Sequence, residues 1–275
     1  SRDPQTIVSE CRDLFERGYR EVTLLGQNVD SYRWNISAKG EIKNPDQPTT
    51  NFTQLMEMVA LVSPLLRVRF STSHPKDMTD EVLEIMAKYE NICPYIHLPV
   101  QSGNTDVLYR MNRGYSREWY LERIEAIKRI IPDCAISTDI ITGFCGETEE
   151  EHQDTLSLMD LVQYDFAYMF KYSERPKTLA ERRYEDDVLE EVKGRRLNEI
   201  IEKQLAHSLA SNQRLVGSVQ KVLIEGPSKR SDEHLCGRTA SNVMVVFAKG
   251  SAQKGQYVNV QISDCTSATL IGEIV

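Results

Sequence analysis

The stretch CAISTDIITGFCGETEEE (residues 134–151) decides the fold, because it contains a complete strand-to-helix unit. Residues 134–142 are predicted to form a strand that carries Asp139, and glycine-containing residues 143–147 follow it. Thr148 is predicted to cap the next helix, with Glu151 three residues further on as in a capping box. A strand that leads directly into a helix is the repeating unit of a parallel sheet with crossover helices.

The same alternation of helix and strand extends from residue 4 to about residue 172. Further strands are predicted at 21–25, 66–70, 95–100 and 165–172. Helical spacing of apolar residues predicts helices at 5–17, 51–62, 80–89, 104–112 and 117–131. Five such strands at repeated spacing predict an α/β fold with a βα (TIM-like) barrel or part of one.

The pattern changes after residue 185. Residues 186–214 predict one long helix, and short β-rich runs separated by Gly, Ser and Asp then fill 217–226, 234–250 and 255–263. These runs predict a small all-β barrel of about 60 residues. We therefore expect two domains, 1–213 and 214–275, with 186–213 as the connecting helix and the polar insertion 33–50 as a mobile loop. The predicted apolar stripe of the long helix consists of Val188, Val192, Leu197, Ile201, Leu205 and Leu209.

Composition limits the class of protein. The chain of 275 residues has 33 Lys and Arg against 41 Asp and Glu, a net charge of −8. Such a chain is not expected to bind nucleic acid over its whole surface, although a local basic patch can still contact RNA. The first fifteen residues do not resemble a signal peptide, and no apolar run approaches the ~20 residues of a membrane span. We expect no membrane partner.

The cysteines are scattered along the chain, and the shortest gap between two of them is eleven residues. No CxxC or CxxxCxxC occurs, so the chain has no metal or cluster motif of its own. Scattered cysteines are typical of proteins in the reducing cytoplasm, where we place this one. The six are Cys11, Cys93, Cys134, Cys145, Cys236 and Cys265.

Polar residues and glycines follow each predicted strand. They occur at 26–28, 71–74, 101–103, 143–147 and 171–173. The carboxyl ends of parallel strands lie at one edge of the sheet, where ligands bind in such folds. Because amides and hydroxyls are costly to bury without partners, their clustering indicates a polar ligand such as a nucleoside or an amino acid. The alternative is that they are solvated loop residues.

Four segments resemble the radical S-adenosylmethionine methylthiotransferases: EVTLLGQNVDSY (21–32), FSTSHPKDMTDEVLEIMA (70–87), YIHLPVQSGNTDVLYRMNRGYSREWY (95–120) and ISTDIITGFCGETEEE (136–151). The C-terminal β-rich region resembles the RNA-binding TRAM domain of these enzymes. Within the family, LLGQNVDSY is most similar to the MiaB branch. The resemblance covers essentially the whole chain and implies a partial radical-SAM barrel followed by a TRAM-type barrel.

The resemblance implies a tRNA-modifying enzyme that adds a methylthio group to C2 of N6-isopentenyladenosine beside the anticodon. The implied cofactors are S-adenosylmethionine and two [4Fe–4S] clusters. The implied partners are the tRNA anticodon stem-loop and an electron donor, and we expect a monomer. Because the family's CxxxCxxC precedes the segment that aligns with SRDP, we expect this chain to be a fragment that lacks the N-terminal domain, the first barrel strand and the cluster ligands, and to be inactive alone.

By the resemblance, residues at the predicted strand ends bind S-adenosylmethionine. Gly26 and Gln27 occupy the place that binds the methionine amino group. Gln101 and Arg113, twelve residues apart, are expected to contact ribose hydroxyls and the carboxylate, and Asp139 is expected to accept hydrogen bonds from ribose hydroxyls. The predicted cofactor-binding set is Gly26, Gln27, Ser71, Thr72, Gln101, Ser102, Arg113, Asp139, Gly143, Phe170 and Tyr172. No catalytic residue and no metal ligand is assigned within the chain.

The remaining members of the set have less specific roles. Ser71 and Thr72 are expected to contact the methionine or ribose portion, Gly143 to pack near the adenine, and Phe170 and Tyr172 to line the adenine edge. In the TRAM-like region, a basic bias predicts contacts with RNA phosphates, against the alternative of a mixed solvated surface. The predicted RNA-binding residues are Lys221, Lys229, Arg230, Arg238, Lys249 and Lys254.

Simpler explanations stay open for single residues. Arg113 can be a solvated surface charge and Asp139 a local turn contact. His74 and His97 are predicted to be hydrogen-bonded barrel histidines in preference to ligands. Cys145 stands where relatives often have proline, and we interpret it as a tolerated loop substitution.

Two other functions also stay open. The chain can be a cluster-free RNA- or nucleoside-binding protein that keeps the fold without the reaction. It can also belong to a sister branch that acts on a ribosomal protein or on threonylcarbamoyl-adenosine.

Overall fold

The computed structural model describes residues 1–71, 73–229 and 231–275, without the side chain of Asp232. Its α-helices are α1 (Pro4–Glu16), α2 (Phe52–Ala60), α3 (Asp80–Lys88), α4 (Thr105–Arg110), α5 (Arg117–Ile130), α6 (Glu149–Val162), α7 (Leu179–Arg183) and α8 (Glu190–Gln213). Its strands are β1 (Glu21–Leu24), β2 (Arg33–Trp34), β3 (Thr50–Asn51), β4 (Arg67–Phe70), β5 (Tyr95–His97), β6 (Ala135–Thr142), β7 (Phe166–Lys171), β8 (Val219–Ser228), β9 (Ser231–Arg238), β10 (Met244–Ala248), β11 (Tyr257–Cys265) and β12 (Thr269–Ile274).

Five parallel strands form what we call the half-barrel. β1 pairs with β4, and β5, β6 and β7 pair in that order. The two groups are linked where Val68 of β4 pairs with Ile92, shortly before β5. Helices connect successive strands, and among the described residues β1 and β7 do not pair with each other. The predicted partial βα barrel is therefore confirmed.

β5 is shorter than the predicted strand 95–100. Its ladder with β6 ends at His97, two residues before Pro99. Proline has no N–H group to donate to a neighbouring strand, so the regular pairing cannot pass this residue. Pairing returns at Gln101, which bridges to Ile140 of β6.

The helices cover one face of the half-barrel sheet. In β1 and β4, Val22, Leu24, Val68 and Phe70 join the main apolar core, and Phe70 packs edge-on against Phe52 of α2 at 5.4 Å. Because side chains alternate across a strand, the residues between them point to the opposite face. We call that opposite face the inner face. It is polar on β1 and β4 and aromatic on β7.

The C-terminal region forms what we call the small barrel. Its five strands close in the order β10, β12, β11, β8, β9. All pairs are antiparallel except β10 with β12. Its interior is apolar, and the buried core residues are Val222, Ile224, Leu235, Val245, Phe247, Val260, Ile262 and Leu270. The predicted small all-β barrel is confirmed.

Helix α8 corrects one prediction. Its buried face is mainly polar and consists of Lys193, Arg196, Ile200, Gln204, Ser208 and Asn212. In contrast, Leu205 and Leu209 of the predicted apolar stripe are 51% and 36% exposed. The predicted apolar stripe is wrong. The surface that α8 covers carries backbone carbonyls and carboxylates, and these acceptors require hydrogen-bond donors from the buried face of the helix. The Gln204 amide donates to Tyr164 O, and the Ser208 hydroxyl donates to Asp165 O.

The insertion 33–50, predicted to be a mobile loop, has internal structure. β2 pairs with β3, and Ile36 bridges to Ile42. The buried Asn35 amide donates to Asn44 O at 2.7 Å and Gln47 O at 2.8 Å. The insertion is therefore held by short strand pairs and by the hydrogen bonds of one buried asparagine side chain. Within the described ranges, no helix combines the length and apolar character needed to cross a bilayer.

Candidate functional site

The carboxyl ends of the half-barrel strands surround a cavity of about 280 Å³. His74 lies after β4, Gln101 after β5, Ile141 within β6, and Tyr172 after β7. Arg113, in the segment that follows α4, also lines the cavity, together with Arg110, Met111, Asn112, Phe144, Leu179 and Ala180. The structure thus brings together three residues of the predicted cofactor set, Gln101, Arg113 and Tyr172, as the strand-end argument expects.

Gln101 occupies the centre of this arrangement. It is 5% exposed and has a left-handed backbone with φ of 75°. Its N–H donates to Asp139 O, and its carbonyl accepts from Ile141 N, both at 2.9 Å. A non-glycine residue in this region of backbone space costs of order 1–3 kcal/mol, and such strain concentrates at ligand sites. The fold therefore holds an amide side chain at the cavity at an energetic cost.

Arg113 brings positive charge to the cavity. Among the ion pairs of the described residues, none involves Arg113. Burial, together with the charge of Arg113, lowers the pKa of the neighbouring His74. The His74 ring already accepts from Lys76 N, as predicted for a hydrogen-bonded histidine. The guanidinium is thus available to bind a carboxylate or phosphate.

Aromatic rings line the side of the cavity near β6 and β7. Phe144 is 4% exposed and contacts Tyr172 edge-on, with ring centroids 4.9 Å apart. Burial raises the pKa of Tyr172 to about 12, so its phenol is protonated at neutral pH. An apolar edge beside polar groups suits a ring with hydrogen-bonding atoms on one side.

Asp139 lies on the inner face of the half-barrel, two residues before Ile141 on β6, and is not among the residues that line the cavity. Its carboxylate is 28% exposed and lies 3.4 Å from His97 Nε2. His97 Nδ1 is 2.9 Å from the hydroxyl of Ser137, which in turn is 2.7 Å from that of Tyr95. This chain of contacts orients the imidazole and leaves the Asp139 carboxylate able to accept further hydrogen bonds.

Other members of the predicted set do not line this cavity. Gly26, Gln27 and Ser71 lie at the ends of β1 and β4, and Gly26 and Gln27 are exposed. Phe170 is 52% exposed on the inner face of β7. Thr72 lies outside the described residues. Whether these residues contact a ligand stays a prediction.

Ser102 and Gly143 have structural partners instead. Ser102 is fully buried and its hydroxyl faces Thr155 of α6 at 3.4 Å. Gly143 has φ of 72°, and a Cβ placed on it would lie 2.4 Å from Lys193 Cγ. Only glycine fits this turn, because α8 approaches it closely. The neighbour of Gly143 in the structure is therefore a lysine side chain.

A buried carboxyl group beside β1 is absent from the predicted site residues. Asp30 is 9% exposed, and the Ser73 hydroxyl donates to its Oδ1 at 3.0 Å. Its other oxygen has no hydrogen-bond partner among the described residues. Burial, assisted by the nearby charge of Asp77, raises the pKa of Asp30 to about 7. The position of Asp30 three residues after Gln27 was the available signal.

The predicted RNA-binding residues fall into two groups. Lys229, Lys249 and Lys254 are exposed. The other group faces partners within the chain: Lys221 Nζ lies 4.9 Å from the Tyr257 ring centroid, and Arg238 pairs with Glu225 at 3.1 Å. Arg230 lies outside the described residues. Among the described residues, Lys229, Lys249 and Lys254 form no ion pair, and Lys221 is exposed as well but lies against an aromatic ring.

The chain is similar to known proteins over its whole length. Residues 1–159 match the model of the radical SAM superfamily, and residues 213–275 match that of the TRAM domain. A protein of Amoebophilus asiaticus named tRNA-2-methylthio-N(6)-dimethylallyladenosine synthase is 58% identical over 277 residues, which cover 100% of this chain and 57% of the relative. A protein of Bacteroides thetaiotaomicron with the same name is 54% identical over 275 residues, covering 100% of this chain and 59% of that relative.

The chain thus spans somewhat more than half the length of these curated relatives. Among solved structures, coproporphyrinogen III oxidase from Escherichia coli, a radical SAM enzyme, is similar with a TM-score of 0.49 and 13% identity over 96% of this chain and 61% of that chain. Since the superfamily model matches more than half of the residues, including four of the five half-barrel strands, the chain belongs to the radical SAM superfamily.

Proposed function

We propose that this chain is the cofactor-binding and RNA-binding part of a radical SAM methylthiotransferase that modifies C2 of N6-isopentenyladenosine in tRNA. The observation that carries the proposal is similarity over the whole chain, at 54–58% identity, to relatives named for this reaction. Matches to two separate domain models, one for the radical chemistry and one found at 213–275, support it further.

The strand-end cavity supports S-adenosylmethionine as the ligand. Arg113 would hold the methionine carboxylate, Asp139 the ribose hydroxyls, and Phe144 with Tyr172 the edge of the adenine. Gln101 would donate or accept at the ribose. When bound to its cluster, the cofactor supplies the radical chemistry; the residues of this chain bind and orient it.

The described residues do not fit an iron–sulfur cluster. No three His, Cys, Asp or Glu side chains among them lie close enough to hold a metal ion. Burial raises the pKa of several thiols, to about 11 for Cys93, which disfavours the thiolate that a cluster needs. We therefore assign no cluster ligand to this part of the chain, and the two [4Fe–4S] clusters of the proposal would be held elsewhere.

The proposal includes its partners. The exposed Lys229, Lys249 and Lys254 would contact phosphates of the tRNA anticodon stem-loop. An electron donor would reduce the cluster. The protein is proposed to act as a monomer in the cytoplasm.

Cofactor binding can be tested on this chain alone. Isothermal titration with S-adenosylhomocysteine would compare the wild type with Arg113→Ala and Asp139→Ala. Loss of one charge-assisted hydrogen bond removes about 1.5–3 kcal/mol, so Kd should rise roughly 10- to 100-fold. Arg129→Ala, a 68% exposed arginine on α5, is the control and should bind like the wild type. Unchanged affinity in both test variants would reject these assignments.

The assay that identifies the substrate uses the enzyme expressed from the complete coding sequence in which this chain occurs. Reconstituted enzyme would be incubated separately with isopentenylated tRNA, unmodified tRNA and ribosomal protein. Each substrate would then be digested and analysed by mass spectrometry. Methylthiolation of isopentenylated tRNA alone is expected. Turnover on ribosomal protein, or on threonylcarbamoyl-adenosine, would assign the chain to a sister branch. Nucleoside binding without any turnover would favour a cluster-free binding protein.

A further inference from the structure

Two arginines of β4 are buried on the inner face of the half-barrel. Arg67 is 6% exposed and Arg69 is 7% exposed. They alternate with Val68 and Phe70, which pack into the core under the helices. Arg69 Nε contacts Glu21 of β1 at 2.9 Å. A single carboxylate, however, cannot satisfy the donors of two guanidinium groups.

The remaining donors reach the small barrel. Arg67 donates to the backbone carbonyls of Arg238 at 2.7 Å and Lys221 at 2.9 Å. Arg69 donates to those of Thr239 and Ala240, both at 2.9 Å. Four carbonyls of one domain therefore accept from two charged side chains of the other. Carbonyls held in strands and a tight turn form a fixed pattern that matches the planar guanidinium fork.

Three of the four acceptors lie at the end of β9 and in the turn that leads to β10. This turn spans residues 239–242 and is closed by Asn242 N donating to Thr239 O at 3.1 Å. Thr239 is 2% exposed, and its hydroxyl accepts from Val243 N. The β9–β10 turn is thus internally ordered and lies against the inner face of the half-barrel.

Tyr257 of β11 adds a second contact between the domains. Its hydroxyl lies 3.1 Å from Arg20 O and 3.0 Å from Leu65 O, in the residues just before β1 and β4. The Arg67 guanidinium carbon lies 5.0 Å from the centroid of its ring. The contacts of Tyr257 and Arg67 are at the amino-terminal ends of β1 and β4, and Arg69 lies two residues further along β4. The cavity lies beyond the carboxyl end of β4, at His74.

We propose that the β9–β10 turn closes the amino-terminal end of the half-barrel's inner face, and that Arg67 and Arg69 are positioning residues that hold the RNA-binding domain in one orientation to the cofactor site. The closure concerns this chain alone, whereas its consequence for tRNA rests on the proposed function. β4 carries the two arginines and leads on to Ser71 and His74, so one strand connects the closure to the cavity.

Cys93 is a native reporter of this closure. It is 2% exposed, and its N–H donates to Val68 O at 2.9 Å. It lies close enough to Arg67, Arg69 and Tyr257 for charge to act between them. Loosening of the small barrel should therefore expose this thiol, whereas Cys11, on the buried face of α1, should not respond.

The first test measures thiol labelling of this chain. Iodoacetamide modification, followed by peptide mass spectrometry, would compare the wild type with Arg67→Lys/Arg69→Lys, which keeps both charges and loses the forked geometry. Modification of Cys93 should become at least 10-fold faster while that of Cys11 is unchanged. Arg123→Lys/Arg129→Lys, a pair on α5 that contacts Asp80, is the matched control and should label like the wild type. A wild-type Cys93 rate in the test variant would overturn the closure.

A second variant covers the case in which the double variant unfolds. Faster labelling of Cys11 together with Cys93 would indicate unfolding, and Tyr257→Phe would then decide. It removes only the hydroxyl at Arg20 and Leu65 and should raise the Cys93 rate at least 3-fold with Cys11 unchanged. No rise in this variant would also overturn the proposal.

The functional consequence is measured on the complete enzyme. Arg67→Lys/Arg69→Lys should raise KM for tRNA at least 5-fold and leave the Kd for S-adenosylhomocysteine within 2-fold, because the cavity is intact. If the two arginines had a purely structural role, the variant would contain a smaller fraction of active enzyme with an unchanged KM for tRNA. That result would overturn the positioning role. If the wild type modifies no tRNA but Cys93 responds as expected, the proposed function fails and the closure stands.

Discussion

The small barrel and the half-barrel both arrange strands around an interior, but they fill it differently. The small barrel is closed, and its eight core residues are all aliphatic or aromatic. The half-barrel is open between β1 and β7 in the described part of the chain, and its inner face carries Glu21, Arg67, Arg69, His97 and Asp139. An interior filled by its own side chains stabilises the fold through burial of apolar area. Charged side chains that line an interior instead need hydrogen-bond or ion-pair partners, which a ligand or another segment placed inside it can provide.

The open edge of the half-barrel shows the same contrast. On β7, Phe166, Tyr168 and Phe170 point to the inner face and are 48%, 49% and 52% exposed. Their neighbours on the other face, Ala167 and Met169, pack under the helices. In the small barrel, Val245 and Phe247 at comparable positions are at most 1% exposed. The interior of the half-barrel thus keeps exposed surface for a ligand or another chain segment, whereas the interior of the small barrel is filled by its own side chains.

The largest expected effect is the loss of stability when a buried ion pair between α8 and the half-barrel is broken. Arg196 of α8 donates to the side chain and the carbonyl of Glu147, both at 2.9 Å, and both side chains are buried. Arg196→Ala leaves the Glu147 carboxylate buried without its ion-pair partner, although Gly143 N still donates to it at 2.6 Å. We expect a loss of about 3–5 kcal/mol in the free energy of unfolding, measured by urea denaturation. Arg195→Ala, with a side chain 47% exposed, is the control and should lose at most about 1 kcal/mol. Equal losses would contradict a structural role for the buried pair.

A second prediction concerns the pH dependence of stability that the buried carboxyl group of Asp30 causes. The pKa of Asp30 is raised from 3.8 to about 7, so the folded state binds a proton that the unfolded state has lost between these values. Stability from this group is therefore present below about pH 4 and declines as the pH rises to 7. The decline should be on the order of 2–4 kcal/mol.

Asp30→Asn is the variant that isolates this effect, because asparagine carries no ionisable group. Urea unfolding at pH 5 and pH 8 should show a smaller pH dependence in the variant than in the wild type, and greater stability of the variant at pH 8. The same pH dependence in both proteins would show that Asp30 is ionised in the folded state.

The smallest expected effect is the loss of stability when a side chain is added between two closely packed strands of the small barrel. A Cβ on Gly237 would lie 2.2 Å from Leu223 O of the paired strand β8. Gly237→Ala should therefore cost about 1–3 kcal/mol of stability through overpacking. Gly194→Ala in α8 makes the same chemical change where no atom lies within 4 Å, and should stabilise by about 0.5–1 kcal/mol. Thermal unfolding would measure both, and a neutral Gly237→Ala would mean that the barrel can relax.

Much of the architecture could be predicted because its signals are local. The capping box at Thr148 and Glu151 is confirmed, with the two reciprocal hydrogen bonds at 3.2 and 2.9 Å. The predicted strand 134–142 begins one residue later, at Ala135. The predicted strand 95–100 is too long, because Pro99 cannot donate to β6 and the regular pairing of β5 ends at His97.

The site was predicted in part. Gln101, Arg113 and Tyr172 meet at one cavity, because parallel strand ends share an edge of the sheet. Ser102 turns to α6 instead, and the environment of Gly143 is formed by Lys193 of α8. These two outcomes depend on which helix covers a strand end, and the spacing of residues along the chain does not contain that information.

The sequence by itself determined the alternation of strands and helices, the change to a small barrel near residue 213, and the polar strand ends. These follow from periodicity, capping and turn residues within a few positions. Only the tertiary structure decided that α8 buries its polar face and that Arg67 donates to Arg238, 171 positions away. The reason is physical: a buried charge is acceptable only where partners converge on it, and distant segments converge only in the folded chain.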